Sequence, residues 1–191
     1  MSRSLSVSFS GSILVSGGLN VGKTRLTAET LVRYADKYPE AETVLLDFAP
    51  ELMKDGDLVG GHVSRFVDVP ETVSEYVLEA NAPRLESDTE DGAVELAREN
   101  HDKGVGLVES APHDPDAVFV NDATIPFQYP DSDSGTLVEY CERADDCLLN
   151  VYDPRSGGDT ETVLSDSGVL NSPEAATVES LRGWADVEIH L

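Results

Sequence analysis

The chain has 191 residues, enough for one domain with a single hydrophobic core. Its 37 acidic residues against 13 basic ones give a formal net charge of −24. A field of that sign repels DNA, RNA and anionic lipid, which excludes a general nucleic-acid-binding or membrane-surface protein. No apolar run reaches the length of a membrane span, and the N-terminus lacks the basic-then-apolar order of a signal peptide. These features predict a cytoplasmic protein.

Lysine and cysteine are both scarce in this chain. Only four of the basic residues are lysines, and this acidic, lysine-poor composition resembles that of proteins from salt-accumulating archaea. In molar salt the Debye length falls to about 3 Å, which screens the self-repulsion of the acidic surface. We therefore predict that folding depends on salt. Cys141 and Cys147 are too few for a disulfide framework or a cysteine-only metal site, and we expect two buried thiols.

Short apolar runs alternate with longer amphipathic stretches along the chain. The expected strands are 13–15, 43–46, 65–68, 117–120, 147–151 and 187–189, and residues 1–10 are either a frayed end or a short edge strand. The expected helices are 24–38, 71–81, 93–111, 136–144 and 173–183, with loops at 48–62 and at 155–172, the second of them mobile. This alternation predicts an α/β fold, a three-layer, doubly wound and mainly parallel sheet, in one domain spanning residues 1–191.

The segment from Gly17 to Thr24 reads Gly-Gly-Leu-Asn-Val-Gly-Lys-Thr, a complete match to G-x-x-x-x-G-K-[ST]. Glycines let the backbone turn successive N–H groups toward phosphate oxygens, and the following helix N-terminus adds partial positive charge. Lys23 would neutralise the β- and γ-phosphates, and the Thr24 hydroxyl would coordinate Mg²⁺. The match follows an apolar strand and opens an amphipathic helix, as this mechanism requires. The predicted nucleotide-binding residues are Gly17, Gly18, Leu19, Asn20, Val21, Gly22, Lys23, Thr24 and Arg25.

In this strand–loop–helix unit the chain closely resembles the P-loop NTPase superfamily. The rest of the chain resembles that superfamily only in its alternation of strands and helices. The resemblance implies a doubly wound sheet with the nucleotide at the carboxyl ends of its strands. It also implies Mg²⁺ and either ATP or GTP as the bound species.

Asp122 is the first of two acidic residues that follow apolar strands. The run of residues 117–120, which leads to Asn121 and Asp122, resembles a Walker B strand. Asp122 would then hold Mg²⁺ through a bound water or orient the attacking water. The alternative is a turn aspartate that caps the next segment.

Asp47 is the second such residue, at the end of the apolar run of residues 44–46. Its position resembles that of an aspartate in the Min/Par and related P-loop enzymes, which approaches the metal or the attacking water. A plain strand-end aspartate is the alternative. The resemblance is incomplete, because the Min/Par loop carries an extra lysine near its start where this chain has Ser16, Gly17 and Gly18. A dimer that exchanges this lysine is therefore not supported.

Other polar residues carry weaker signals. The run from Asn150 to Asp153 has the spacing of the guanine signature N-K-x-D without its lysine, so ATP stays slightly ahead of GTP. Thr124 and Gln128 lie just beyond Asp122, where they would reach a nucleotide or an acceptor, or form an ordinary loop. The arginines considered for stabilising transition-state charge are Arg25, Arg65, Arg84 and Arg155.

These residues favour a Mg²⁺-dependent NTPase with Lys23, Asp122 and Asp47 as catalytic residues and with Thr24 and Asp122 as metal ligands. One alternative is a small-molecule kinase whose acceptor lies between the loops 56–62 and 155–168. Another is a non-catalytic nucleotide-dependent switch that binds a protein partner.

Overall fold

The computed structural model describes residues 10–54, 57–153 and 168–191. The strands in these ranges are β1 Gly11–Gly17, β2 Thr43–Asp47, β3 Glu51–Lys54, β4 Asp57–Gly60, β5 Val73–Val77, β6 Ala117–Asn121, β7 Asp146–Tyr152 and β8 Val187–His190. The α-helices are α1 Lys23–Lys37, α2 Pro83–Glu86, α3 Glu90–Ser110, α4 Gly135–Cys141 and α5 Gly168–Trp184. Two 3₁₀ turns span Val63–Arg65 and Ile125–Phe127.

Six strands form one parallel sheet in the order β5-β2-β6-β7-β1-β8, and β3 pairs with β4 in a separate antiparallel hairpin. The strand that leads into the phosphate-loop motif, β1, lies between β7 and β8. Strand β6, which leads to Asp122, pairs with β7 and β2. The loops that follow β1, β2, β6 and β7 therefore emerge at the same edge of the sheet.

Helices cover both faces of the sheet because neighbouring strand residues point to opposite sides. On one face, Leu26 and Leu31 of α1 share a buried apolar cluster with Ile13 of β1 and Phe119 of β6. On the other, α3, α4 and α5 cover the adjacent strand positions through a cluster that contains Val108, Leu137, Val178, Val118 and Leu149. The three-layer, doubly wound α/β prediction is confirmed.

The structure corrects three expected elements between β2 and α2. Residues 71–81 are not a helix, because Val73–Val77 pairs with β2 as the edge strand β5. The sequence misleads because Val73, Tyr76 and Val77 have helical i, i+3, i+4 spacing, and only the long-range pairing decides between the two states. The strand expected at 65–68 is absent, since the chain makes a 3₁₀ turn at Val63–Arg65. The expected loop 48–62 contains the β3–β4 hairpin.

The last helix is longer than expected. It runs from Gly168, so residues 168–172 of the expected loop are helical and Pro173 lies inside the helix instead of at its start. Leu170 is fully buried and packs with Ala93 and Ala97 of α3, which stabilises this first part of the helix. Residues 1–9 and 154–167, including Arg155, lie outside the described residues.

Both cysteines are buried as expected, Cys141 at the end of α4 and Cys147 near the start of β7. None of the helices in the described part of the chain is long and apolar enough to cross a membrane.

Candidate functional site

The predicted phosphate loop, residues 17–24, joins β1 to α1 and needs glycine at two of its positions. Gly22 caps the helix with a φ of 99°, in the left-handed region that disfavours residues with a Cβ. A Cβ on Gly17 would lie 2.7 Å from the carbonyl oxygen of Leu191. Helix α1 begins directly at Lys23 with no side-chain cap, so its first N–H groups stay available to an anion.

Lys23 is held inside this loop. Only 7% of the residue is exposed, and its Nζ donates a hydrogen bond to the carbonyl oxygen of Gly18 at 2.5 Å. Burial lowers the pKa of Lys23, and the charge of Asp122 opposes that shift. Among the described residues no carboxylate forms an ion pair with this ammonium group. A buried cation that donates to a backbone carbonyl group and has no carboxylate partner in the described part of the chain suits the binding of phosphate oxygens.

Asp122 follows β6 and has a strained backbone with a φ of 54°. The polar groups of Asn150 hold this conformation: its Oδ1 accepts from the Asp122 N–H at 3.1 Å, and its carbonyl oxygen accepts from the Ala123 N–H at 2.9 Å. Burial raises the pKa of Asp122 to about 6, while Lys23 opposes the shift and Asp47 and Glu174 add to it. The constrained turn presents the carboxylate to the same cavity as Lys23.

Below this turn, Asp47, Asn121, Asn150 and Thr27 form a buried chain of hydrogen bonds that we call the amide network. The Nδ2 of Asn121 donates to Asp47 Oδ1 at 2.8 Å, and the Nδ2 of Asn150 donates to Asn121 Oδ1 at 2.8 Å and to Thr27 Oγ1 at 2.9 Å. The network therefore connects the ends of β2, β6 and β7 to α1.

Asp47 belongs to this network and does not line the cavity. It is fully buried, and its Oδ2 accepts a hydrogen bond of 2.6 Å from the Val63 N–H. Burial raises the pKa of Asp47, and the hydrogen bonds from Asn121 and Val63 oppose that shift. Since its oxygens are engaged by the protein, Asp47 orients the 3₁₀ turn and Asn121, and its contact with an attacking water stays a prediction.

A cavity of about 370 Å³ opens over the phosphate loop. Six of the nine predicted nucleotide-binding residues line it, whereas Gly17, Gly18 and Val21 do not: the lining members are Leu19, Asn20, Gly22, Lys23, Thr24 and Arg25. Asp122 and Tyr152 also line the cavity. Thr24 and Asp122 offer a hydroxyl and a carboxylate next to Lys23, a set of hard oxygen donors that fits Mg²⁺.

The same cavity is also lined by a buried polar cluster of Arg84, Thr124, Gln128 and Glu174, which we call the polar wall. Arg84 Nη2 donates to Glu174 Oε2 at 2.7 Å, and the two side chains are 9% and 3% exposed. The other oxygen, Glu174 Oε1, accepts from Gln128 Nε2 at 2.8 Å and from Thr124 Oγ1 at 3.2 Å. The sequence singled out Arg84, Thr124 and Gln128 separately but missed Glu174, whose only signal is a carboxylate on a buried helix face.

The remaining residues that the sequence suggested for the site form ion pairs with neighbouring side chains. The exposed Arg25 pairs with Glu29 at 2.9 Å on α1, and Arg65 lies 3.6 Å from Glu51. Asp153, considered for reading a guanine edge, is 2.8 Å from Arg182 and is not among the residues that line the cavity.

No protein-family model and no curated protein matches this chain. Its function is therefore inferred from the residues of this cavity.

Proposed function

We propose that the chain is a P-loop protein that binds a Mg²⁺–nucleoside triphosphate and hydrolyses it, with ATP slightly ahead of GTP. The observation that supports this most is Lys23, a cation at 7% exposure whose Nζ donates a hydrogen bond to the Gly18 carbonyl group. Keeping an ammonium group there costs free energy that contacts with phosphate would offset. The surrounding loop and helix N-terminus supply further N–H donors of the same kind.

Each residue then has a separate task. Loop N–H groups and Lys23 bind the phosphates and neutralise charge that develops during cleavage. Thr24 and Asp122 would hold Mg²⁺, which when bound polarises the terminal phosphate. Asp122 would also orient the attacking water, and the amide network fixes its backbone through Asn150. Asp47 acts through Asn121 as a positioning residue in this proposal.

A small-molecule kinase is the second candidate function. Residues of the phosphate loop and of the polar wall line one cavity, so an acceptor held by the polar wall would lie close to the nucleotide. Free phosphate released without an added acceptor supports the hydrolase. Nucleotide consumed only when a metabolite mixture is present supports the kinase, and stoichiometric binding without turnover supports a switch that acts on a protein partner.

Binding of Mg–ATP and Mg–GTP to Lys23→Ala tests the proposal. The measurement is calorimetry in molar salt, where the acidic chain is expected to be folded. We expect affinity to fall about 100-fold, because charge-assisted contacts worth about 3 kcal/mol are lost.

Lys103→Ala is the matched control, since Lys103 is a half-exposed lysine on α3 outside the cavity. It should bind nucleotide like the wild type. Equal affinity in the wild type and in a folded Lys23→Ala variant would overturn the proposal, as would absence of binding to the wild type.

A further inference from the structure

Phe66 is an exposed aromatic side chain on the lining of the cavity. The residue is 50% exposed, although an apolar ring gains free energy when it is removed from water. Four other large apolar side chains are exposed in the described part of the chain, and none of them lines the cavity: Val21, Tyr38, Val77 and Val187. The phenyl ring of Phe66 is therefore accessible to a ligand that occupies the cavity.

The backbone that carries Phe66 is held by the amide network. The Val63 N–H donates to Asp47 Oδ2 at 2.6 Å, and the Gly61 carbonyl oxygen accepts from Asn121 Nδ2 at 3.1 Å. Val63 is fully buried, and its carbonyl oxygen accepts from the Phe66 N–H at 3.0 Å. Because this turn is already fixed, a ligand that contacts Phe66 meets a preformed surface and little backbone entropy is lost on binding.

Phe66 shares the cavity with the residues assigned to the phosphates and the metal. Lys23, Asp122 and Phe66 all line it. The amide network that holds the turn before Phe66 also holds the Asp122 backbone, through Asn150 Oδ1 at 3.1 Å. A nucleoside triphosphate bound at Lys23 by its phosphates carries a flat aromatic base at its other end. The cavity offers this base a flat apolar ring.

The carboxylates considered for the cavity and its surroundings are not open to the edge of a base. Both oxygens of Glu174 accept hydrogen bonds from other members of the polar wall. Asp153, the residue considered for reading a guanine edge, accepts from Arg182 at 2.8 Å and is not among the lining residues. Selection of one base over another needs polar groups directed at its edge, whereas the face of every base is similar. These side chains favour contact with the face.

We propose that Phe66 stacks on the nucleobase of the bound nucleoside triphosphate, so that the site accepts purine and pyrimidine nucleotides with little selection. The inference rests on the proposed function, because the phosphates must be held at Lys23 for the base to reach Phe66. Stacking on an aromatic ring tolerates any base, and its strength varies only modestly from one base to another.

Binding of the Mg²⁺ complexes of ATP, GTP, CTP and UTP to the wild type tests the lack of selection. The measurement is calorimetry in molar salt. We expect all four affinities to lie within about tenfold of one another, with the larger purine rings bound more tightly. A preference for one base of more than about tenfold would show that polar groups read its edge, and it would overturn the proposal.

Phe66→Leu tests the stacking itself, since it keeps an apolar side chain at an exposed position and removes the ring. We expect all four nucleotides to bind about fivefold more weakly, while Phe66→Tyr, which keeps a ring, binds them like the wild type. Tyr38→Leu is the matched control outside the cavity and should change nothing. Unchanged nucleotide affinity in Phe66→Leu would overturn the proposal.

Tyr152 is the other aromatic residue on the described lining of the cavity. Tyr152→Leu therefore decides which ring the base contacts. We expect the loss of nucleotide affinity to be smaller in this variant than in Phe66→Leu. An equal or larger loss in Tyr152→Leu would place the base on Tyr152 and overturn the assignment to Phe66.

Mg²⁺–tripolyphosphate, which has no base, separates this inference from the proposed function. It should bind the wild type and Phe66→Leu equally, because the phosphate loop is unchanged. A fivefold weaker binding of tripolyphosphate to Phe66→Leu would overturn the stacking role, since the substitution would then act on the phosphate loop. If the wild type binds ATP and tripolyphosphate but Phe66→Leu binds ATP equally well, only the stacking inference fails. If the folded wild type binds neither compound, the proposed function fails and the inference fails with it.

Discussion

The two buried polar clusters next to the cavity differ in how completely their hydrogen bonds are formed. In the amide network, Asn121 donates to Asp47 and to the carbonyl oxygen of Gly61 while accepting from Asn150. In the polar wall, two buried atoms of Arg84 and Gln128 stay without a partner among the described residues. A completed network of buried hydrogen bonds rigidifies its surroundings, whereas a partly completed one leaves desolvated polar atoms that cost stability. We therefore expect the amide network to contribute more to stability than the polar wall.

Asn121→Asp should break the amide network most strongly. It places a second carboxylate against Asp47, at a site where Nδ2 and Oδ1 are now 2.8 Å apart. We expect the free energy of unfolding to fall by about 3 kcal/mol or more, because a buried charge loses its compensation. Urea denaturation in molar salt measures this. A loss of only about 0.5 kcal/mol, the size typical of a surface substitution, would show that the network is not rigid.

Glu174→Gln makes the corresponding change in the polar wall. It removes the charge that neutralises the buried Arg84 and should cost about 2 kcal/mol, less than the change at Asn121 because the adjacent cavity admits water to the arginine. Urea denaturation again provides the measurement, with Glu95→Gln on the exposed face of α3 as a control that should unfold like the wild type. A larger loss of unfolding free energy for Glu174→Gln than for Asn121→Asp would show that the polar wall contributes more to stability than the amide network.

Gly17→Ala tests the packing of the phosphate loop. The new Cβ would lie 2.7 Å from the backbone oxygen of Leu191, which cannot move as a flexible side chain would. We expect a loss of about 1–2 kcal/mol in the free energy of unfolding. Gly106→Ala in α3 meets no atom within 4 Å and should instead stabilise the protein by about 0.5–1 kcal/mol. Equal effects of the two substitutions would contradict the close approach at Gly17.

Asp122→Asn should have the smallest effect of these substitutions. It should change nucleotide binding more than it changes the free energy of unfolding. Losing one charged metal ligand should weaken Mg²⁺-dependent nucleotide affinity about tenfold. In the wild type this affinity should fall as the pH drops below about 6, since burial raises the pKa of Asp122 to about 6 and protonation removes the ligand. The variant should lose that part of the pH dependence, whereas the exposed Asp114→Asn should retain it. An unchanged pH profile in Asp122→Asn would remove this residue from the metal site.

The sequence predicted the strand–loop–helix unit around residues 17–24 well because its pattern lies in one short segment. The glycines, Lys23 and Thr24 are fixed by local backbone geometry, and strand β1 and helix α1 have strong periodic patterns. The fold class followed from the same alternation along the chain.

The polar wall could not be predicted as a unit, because Arg84, Gln128 and Glu174 come from three segments that only the packing of α2 and α5 brings together. Strand β5 was missed for a related reason, since pairing with β2 decides its state. The orientation of Asp47 into the network likewise depends on Asn121, 74 residues away in sequence. Contacts of such long range leave no local pattern.

Comparative binding of ATP, ADP and AMP to the wild type, with Mg²⁺ in molar salt, tests the central claim most directly. A phosphate loop recognises the β- and γ-phosphates, so ATP and ADP should bind about 100-fold or more tightly than AMP. GTP and GDP in parallel establish the preferred base. Equal affinity for AMP and ATP, or no binding of any of these nucleotides to the folded chain, would contradict the assignment of residues 17–24 as a phosphate-binding loop.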